Sequence, residues 1–537
     1  MSAARSTVTR PEDWHRATNP VLPGFHPDPS VCRVDHGTPD APDTWFYLVS
    51  STFEYLPGLP VHRSRDLVHW ELVGHVVTDQ LDYSRLGDSG GLYAPTIRHD
   101  GERFLVVCTH LGGPEGGTGN FVVNATDAAG PWSAPVWWPT SEGVDPSLLL
   151  DDDGRIWAHG ARAAHEPQWA HQGEIWVREV DPATLELTGP ETVVFTSALI
   201  GAVYTEGPHL YRRGGYVYLV AAEGGTGHHH AVVVARAESP TGPFEPSQDN
   251  PALTHRHLGP DAVVVNVGHA DLVEAADGSW WALALASRLS DGIDLLGRET
   301  FLLPVDWVDD WPVLAPGVGT LVPEPGGPAG TRTGADSPRP HAAWVAVRRL
   351  PGAVAELDHA GARATLHAGA GMAASEPAFV GRRLLSPAAV LTLELPDDAL
   401  TWAGAPGREV GLALRQSGTQ WLTAGLRAGA DGPRLVVTRC VDGQADVVAE
   451  HRVHGAGTVR VRVEGARADI GWQDGSDGSD VTDGSDGSDR TAVAAVTRVD
   501  VTHLSTAYAG WFVGVVLGPY ALGDGDVTVG RLEQRAV

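Results

Sequence analysis

The chain has 537 residues, 42% of them hydrophobic and 20% charged, the balance of a folded water-facing protein too long for one compact core. Its 67 acidic residues against 38 basic ones leave a net charge of −29, which argues against a nucleic-acid or anionic-membrane partner. With 65 Gly, 39 Pro and few long helical periodicities, the composition leans to a turn-rich β protein.

The first twenty residues, "MSAARSTVTRPEDWHRATNP", hold no apolar run of the signal-peptide kind, and no stretch is long and apolar enough for a membrane helix. Cys32, Cys108 and Cys440 are odd in number and lack metal-like spacing. Reduced thiols and a cytoplasmic location are therefore expected.

From residue 18 a unit recurs with drift. It has a polar start, a short apolar run, a Gly-containing turn, an aromatic-rich run, a third run and a Pro or Gly-Pro turn. The first copy reads "HPDPSVCRVD", "TWFYLVSST" and "PVHRSRDLVHWELV". The second is "YAPTIRHDGERFLVVCTH" with "FVVNATDAAGPW", and the third "VDPSLLLDDDGRIWAHGAR" with "EIWVREVDPATLEL". The fourth is "TEGPHLYRRGGYVYLVAAEGG" with "AVVVARAESPTGPFEP", and the fifth "GHADLVEAADGSWWALALASR" with "ETFLLPVDW". Asp100-Gly101, Asp153-Gly154, Gly214-Gly215 and Asp277-Gly278 occupy the same internal place, as hairpin turns do. Repeats of this size with four short strands predict an all-β, five-bladed β-propeller over residues 18–322.

The Pro/Gly-rich stretch 323–341 reads as a linker. Short alternating runs such as "AVLTLEL", "VGLALRQ", "RLVVTRC" and "TVRVRVEG" then predict a β-sandwich over 342–537. Inside it, "DGSDGSDVTDGSDGSDR" at 474–490 is a low-complexity acidic loop lacking the spaced ligands of a calcium loop.

In a propeller the innermost strand of each blade starts near the central axis. The starts of the five copies supply Asp28, the segment at Tyr93, Asp145, Glu206 and His269, so three carboxylates and a histidine converge on one cavity. Either Asp-Pro pair alone is an ordinary turn; the shared register is what makes a site. Like charges buried together raise at least one pKa. A protonated and an ionised carboxylate flanking one bond are the machinery of glycoside hydrolysis. The 18 Trp serve mostly as core, and flat aromatic faces also suit sugar rings.

"NPVLPGFHPDPSVCRV", "STFEYLPGLPVHRSRDLVHWELV", "SGGLYAP", "VDPSLLLDDDGR", "TEGPHLY" and "LGRETFLLPVDWVDDWPVL" resemble glycoside hydrolase family 43, and within it the β-xylosidases with a C-terminal concanavalin-like β-sandwich. The resemblance runs in order through the repeats and continues, more weakly, to "STAYAGWFVG". It implies Asp28 as the general base toward water, Glu206 as the general acid, and Asp145 as the neighbour that orients Glu206 and raises its pKa. Arg298 is implied to bind sugar hydroxyls and Asp28, with Phe53, His269 and Tyr93 lining the sugar pocket. Tyr93 departs from the Trp that the family pattern carries there. Of His228, His229 and His230, only His230 matches the family, and three successive strand residues make a poor metal site.

Tyr508 falls where an aromatic of the sandwich closes the pocket in the resembled enzymes, which implies exo-acting trimming of short oligosaccharides. The resemblance requires no cofactor and admits a calcium ion near the axis, with His269 in reach of it. A small oligosaccharide is the expected partner, and a homo-oligomer is compatible with the sequence. The expected reaction is inverting release of terminal xylose from short β-1,4-xylo-oligosaccharides. Its alternatives are α-L-arabinofuranosidase activity, alone or alongside, and, remotely, a non-catalytic carbohydrate-binding propeller.

Overall fold

A computed structural model describes residues 19–38, 41–113, 117–259, 261–322, 343–358, 363–475, 494–510 and 512–537. The linker expected at 323–341 and nearly all of the acidic loop expected at 474–490 lie outside these residues. The chain divides into two units, Met1–Arg288 with Arg298–Ala342, and Leu289–Gly297 with Ala343–Val537.

Among the described residues the first unit holds five four-stranded antiparallel sheets, one per sequence repeat. Their leading strands are Ser30–Thr38, Leu92–His99, Val144–Leu150, Glu206–Arg213 and Val264–Glu274. Each leading strand touches the next in chain order, and the fifth touches the first, so the sheets close a circle. The four turns picked out in the sequence join first and second strands, and Gly101, Gly154, Gly215 and Gly278 there take positive φ. Second strands such as Phe104–His110 are buried along their whole length, because both faces are covered by neighbouring sheets. Apolar clusters between sheets include Trp70, Trp138, Trp176 and Trp281, which accounts for part of the Trp load as core.

The segment before the first strand fastens the fifth sheet. Val21 N–H and His26 N–H donate to the carbonyls of Thr300 and Arg298, and the Asn19 amide exchanges two hydrogen bonds with the Leu302 backbone. This closure brings Asp28 beside Arg298, 270 residues away in sequence.

The second unit is built mainly on two antiparallel sheets. One runs in the order Val345–Val347, Val380–Arg383, Val516–Leu522, Glu409–Arg415, Trp421–Gly429, Gly432–Val441, Gln444–Arg452. The other runs Ala494–Asp500, Arg467–Asp474, Gly457–Glu464, Ala388–Leu395, Leu532–Ala536. Leu412, Leu422, Leu426 and Val437 of the first share one core with Leu391, Leu393, Val461 and Ile470 of the second. That is the alternation of a sandwich, with every second residue facing inward. Cys32, Cys108 and Cys440 are free and buried.

Candidate active site

The leading strands deliver their side chains through irregular backbone. Asp28, Asp145 and His269 take φ of 54°, 56° and 46°, a region non-glycine residues seldom occupy. Strand register breaks at Tyr93/Thr96, Val144/Ser147, Glu206/His209 and on both sides of Gly268. Such bulges re-aim a side chain that regular pleating would turn into a sheet face. His269 departs from the repeat-based expectation in one respect. It is the sixth residue of Val264–Glu274 rather than a strand start, and the double register break turns it.

Asp28 is 5% exposed. One carboxylate oxygen accepts from Arg298 Nη1 at 2.9 Å, and the other accepts from the Ser51 hydroxyl at 2.6 Å. Ser51 Oγ in turn accepts from Ala94 N–H at 2.7 Å, which ties the first sheet to the second beside Tyr93. His269 Nδ1 lies 3.7 Å from the Asp28 oxygen that Arg298 holds. Burial alone would raise the Asp28 pKa; Arg298, then His269 and the Ser51 hydroxyl, outweigh it and leave Asp28 below the usual carboxylate range.

Glu206 behaves oppositely. Burial, then Asp145, then Asp28 push its pKa up to about 8, with Arg298 pulling the other way. Its carboxyl makes no hydrogen bond to another described residue and stays partly open to solvent. Asp145 Oδ2 accepts from Gly207 N–H at 2.9 Å, so it grips the backbone one residue on from Glu206. Asp145 is fixed by its own N–H donating to Thr109 Oγ1, whose hydroxyl donates to Asn120. Its pKa is raised by burial and by Asp28, against His269 and the Gly207 N–H. Gly207 has φ 56°, and a Cβ there would lie 2.8–3.0 Å from the His269 ring atoms. Only glycine lets His269 sit against the strand that carries Glu206.

Near neutral pH the site thus favours an ionised Asp28 and a protonated Glu206, with Asp145 adding to the upward push on Glu206, a division of states that general acid–base chemistry needs. If Asp145 sustains the raised pKa, Asp145→Asn should move the alkaline limb of kcat/KM to lower pH. The activity loss would then be larger at pH 8 than at pH 6, checked by pH–rate profiles. An equal loss at all pH values would leave Asp145 only a positioning role.

Arg298 is 5% exposed, with its guanidinium carbon 5.8 Å from the Phe53 ring centroid. Phe53 is 1% exposed and meets the Tyr93 ring edge-on at 5.1 Å. Its ring therefore backs Tyr93 and Arg298 and shows little surface of its own. The Tyr93 hydroxyl donates to the Ser89 carbonyl at 2.5 Å, a bond that the indole expected from the family pattern would place differently. His230 is buried with its ring against Gly268, whereas His228 and His229 are exposed. Tyr508 belongs to the second unit, on the short helix Thr506–Ala509, where its hydroxyl donates to Asp442. Among the described residues no three His, Cys, Asp or Glu are grouped to hold a metal.

Sequence reasoning missed the support beneath the site. Asp271, fully buried, accepts from Arg98 Nη1 at 2.8 Å and Nη2 at 3.1 Å, from Ser30 Oγ at 2.7 Å, from Val31 N–H and from the Tyr211 hydroxyl. Arg98 Nη2 also donates to His209 Nδ1 at 3.3 Å. These residues come from the first, second, fourth and fifth leading strands, so one buried ion pair pins most of the circle. Asp271 stands in "GHADLV", two residues past His269, where charge inside an apolar run was the available signal. Asp271→Asn should destabilise the fold by about 3–5 kcal/mol, because it strands the Arg98 charge in the interior. Urea unfolding of the full chain checks this.

A circle of sheets that gathers an ionised carboxylate, a protonated one and a guanidinium at one place is the layout of a carbohydrate-cleaving enzyme. The chain belongs to glycoside hydrolase family 43: the family profile "Glycosyl hydrolases family 43" matches residues 17–312, and "Beta xylosidase C-terminal Concanavalin A-like domain" matches 336–530. It is 44% identical over 312 residues to the "Xylosidase/arabinosidase" of Butyrivibrio fibrisolvens, covering 57% of this chain and 58% of that one. It is also 44% identical over 308 residues to the "Non-reducing end alpha-L-arabinofuranosidase BoGH43B" of Bacteroides ovatus, covering 55% and 52%. The chain thus spans a little over half the length of these curated relatives. Among solved structures, the GH43 BlXynB protein of Bacillus licheniformis is similar at a TM-score of 0.81 and 27% identity, over 97% of this chain and 99% of that one.

Proposed function

We propose that the chain is an exo-acting, inverting glycosidase that releases terminal xylose from short β-1,4-xylo-oligosaccharides, and that the circle of five sheets is a five-bladed propeller carrying its active site. The observation that carries the reading is that Asp28 and Glu206, both delivered by the ring of leading strands and electrostatically coupled, are shifted in opposite directions, Asp28 down by Arg298 and Glu206 up by burial and its carboxylate neighbours. Asp28, ionised and oriented by Ser51 and Arg298, takes a proton from water as that water attacks the anomeric carbon. Glu206 gives its proton to the departing glycosidic oxygen. One displacement with a water between base and acid calls for carboxyl groups roughly 6.5–9.5 Å apart. Asp145 keeps Glu206 in place through Gly207 and keeps it protonated through its charge. Arg298, His269 and Tyr93 are the groups we assign to sugar contact, with Phe53 behind them.

A second reading, α-L-arabinofuranosidase activity in place of or beside xylosidase activity, is favoured by the names of the two relatives at 44% identity. Xylose and arabinofuranose present similar hydroxyl patterns to one pocket. Assay on p-nitrophenyl β-D-xyloside and α-L-arabinofuranoside separates the readings. Turnover of the first supports the xylosidase assignment and turnover of the second alone the alternative; no turnover of either contradicts both.

A further inference from the structure

Antiparallel pairing decides which loops surround Glu206. Within each sheet of the first unit the leading strand runs away from the end where it begins and the second strand runs back. The loop between second and third strands therefore opens at that same end. Residues 164–172 of the third sheet and 224–230 of the fourth are such loops. The connection 196–205, which leads into Glu206, is laced to both. Trp169 Nε1 donates to the Ala202 carbonyl at 2.6 Å, Tyr204 N–H to the His171 carbonyl at 2.9 Å, and Gly224 N–H to the Val203 carbonyl at 2.8 Å.

Tyr204, two residues before Glu206, is built as a surface. Its φ is 52° and that of His171 is 59°, a region that costs a non-glycine residue stability and recurs where a side chain is being aimed. The Tyr204 ring lies against the His171 imidazole, with centroids 5.0 Å and planes 31° apart. Gly225 stands beside it, where a Cβ would come 3.1 Å from the ring. Held on these sides, Tyr204 still leaves 45% of its surface in water, and His171 is exposed as well. A ring fixed by strained backbone yet left open does not serve the core. Its flat, rigid and amphipathic face suits the C–H face of a sugar ring.

Position supplies the occupant. When Glu206 protonates the departing oxygen, the sugar attached to that oxygen lies on the Glu206 side of the bond that breaks. Two residues of chain span at most about 7 Å, which keeps Tyr204 beside the place where that sugar must sit. We propose that Tyr204, backed by His171, is the platform on which the leaving-group sugar stacks. The proposal rests on the glycosidase reading, and it makes the chain favour oligosaccharides over xylosides with small leaving groups.

The test compares kcat/KM of the full chain on xylobiose with that on β-D-xylosyl fluoride, whose leaving group is a single atom that cannot reach the platform. In Tyr204→Ala the ratio of the two should fall about two- to tenfold. Tyr204→Phe, which keeps the ring face and loses only the hydroxyl, should hold the wild-type ratio. Thermal melting checks that both variants are folded, and a general loss of structure would lower both rates without moving the ratio. An unchanged ratio in Tyr204→Ala, or an equal fall in Tyr204→Phe, overturns the platform and leaves the glycosidase reading standing. Wild-type protein that turns over neither substrate contradicts the xylosidase reading and the platform with it.

Discussion

Glu206→Gln is expected to lower kcat by about 10²–10⁴-fold on xylosides with poor leaving groups, and far less on dinitrophenyl xyloside, whose leaving group departs without a proton. The amide keeps the shape of the side chain but cannot donate the proton held on a carboxyl whose pKa is about 8. The alkaline limb of the wild-type profile should disappear in the variant, because Glu206 is the group whose loss of a proton ends activity as pH rises. Stability supplies an independent check. Raised in the folded state above its ordinary value, Glu206 contributes nothing below pH 4.5. It costs stability progressively as pH climbs toward 8 and costs it fully above. The Gln variant should therefore melt higher than wild type at pH 9 and equally at pH 4. A leaving-group-independent loss, or an unchanged alkaline limb, removes Glu206 from the role of acid.

Asp28→Asn is the complementary experiment. Here the loss, again about 10²–10⁴-fold, should be the same for good and poor leaving groups, since activation of water is needed for both. The acidic limb of kcat/KM belongs to Asp28, whose pKa lies below the usual carboxylate range, so wild-type activity should persist to unusually low pH before it falls. The variant also replaces the buried Arg298–Asp28 ion pair by a charge–amide contact, and its melting temperature should drop. Near-wild-type turnover in a folded variant would contradict the assignment. Because Asp28, Asp145 and Glu206 shift one another's titration, the two limbs report the set as a whole and not isolated side chains.

The repeat made the three carboxylates legible in the sequence. Asp28, Asp145 and Glu206 each stand at the same point of a recurring strand–turn–strand unit, and the structure brings them into one electrostatic neighbourhood. The four hairpin turns were legible because Gly at positive φ is a local requirement. What the sequence could not show is long-range or conformational. The bulges that turn Asp145 and His269 leave no compositional mark. Arg298 reaches Asp28 only because the chain closes its circle through residues 19–26 and 298–302, whereas Ser51 comes from just past the end of the second strand of the same sheet. Arg98 and Asp271 meet across 173 residues, a separation at which neither charge in the sequence points to the other.

The central claim is that Asp28 and Glu206 act on opposite sides of one bond in a single displacement. Proton NMR of the first minutes of aryl β-xyloside hydrolysis tests it most directly. The account predicts that α-xylose appears first and the β-anomer only as mutarotation proceeds. β-Xylose as the first-formed product would mean a covalent intermediate and two displacements, and would contradict it.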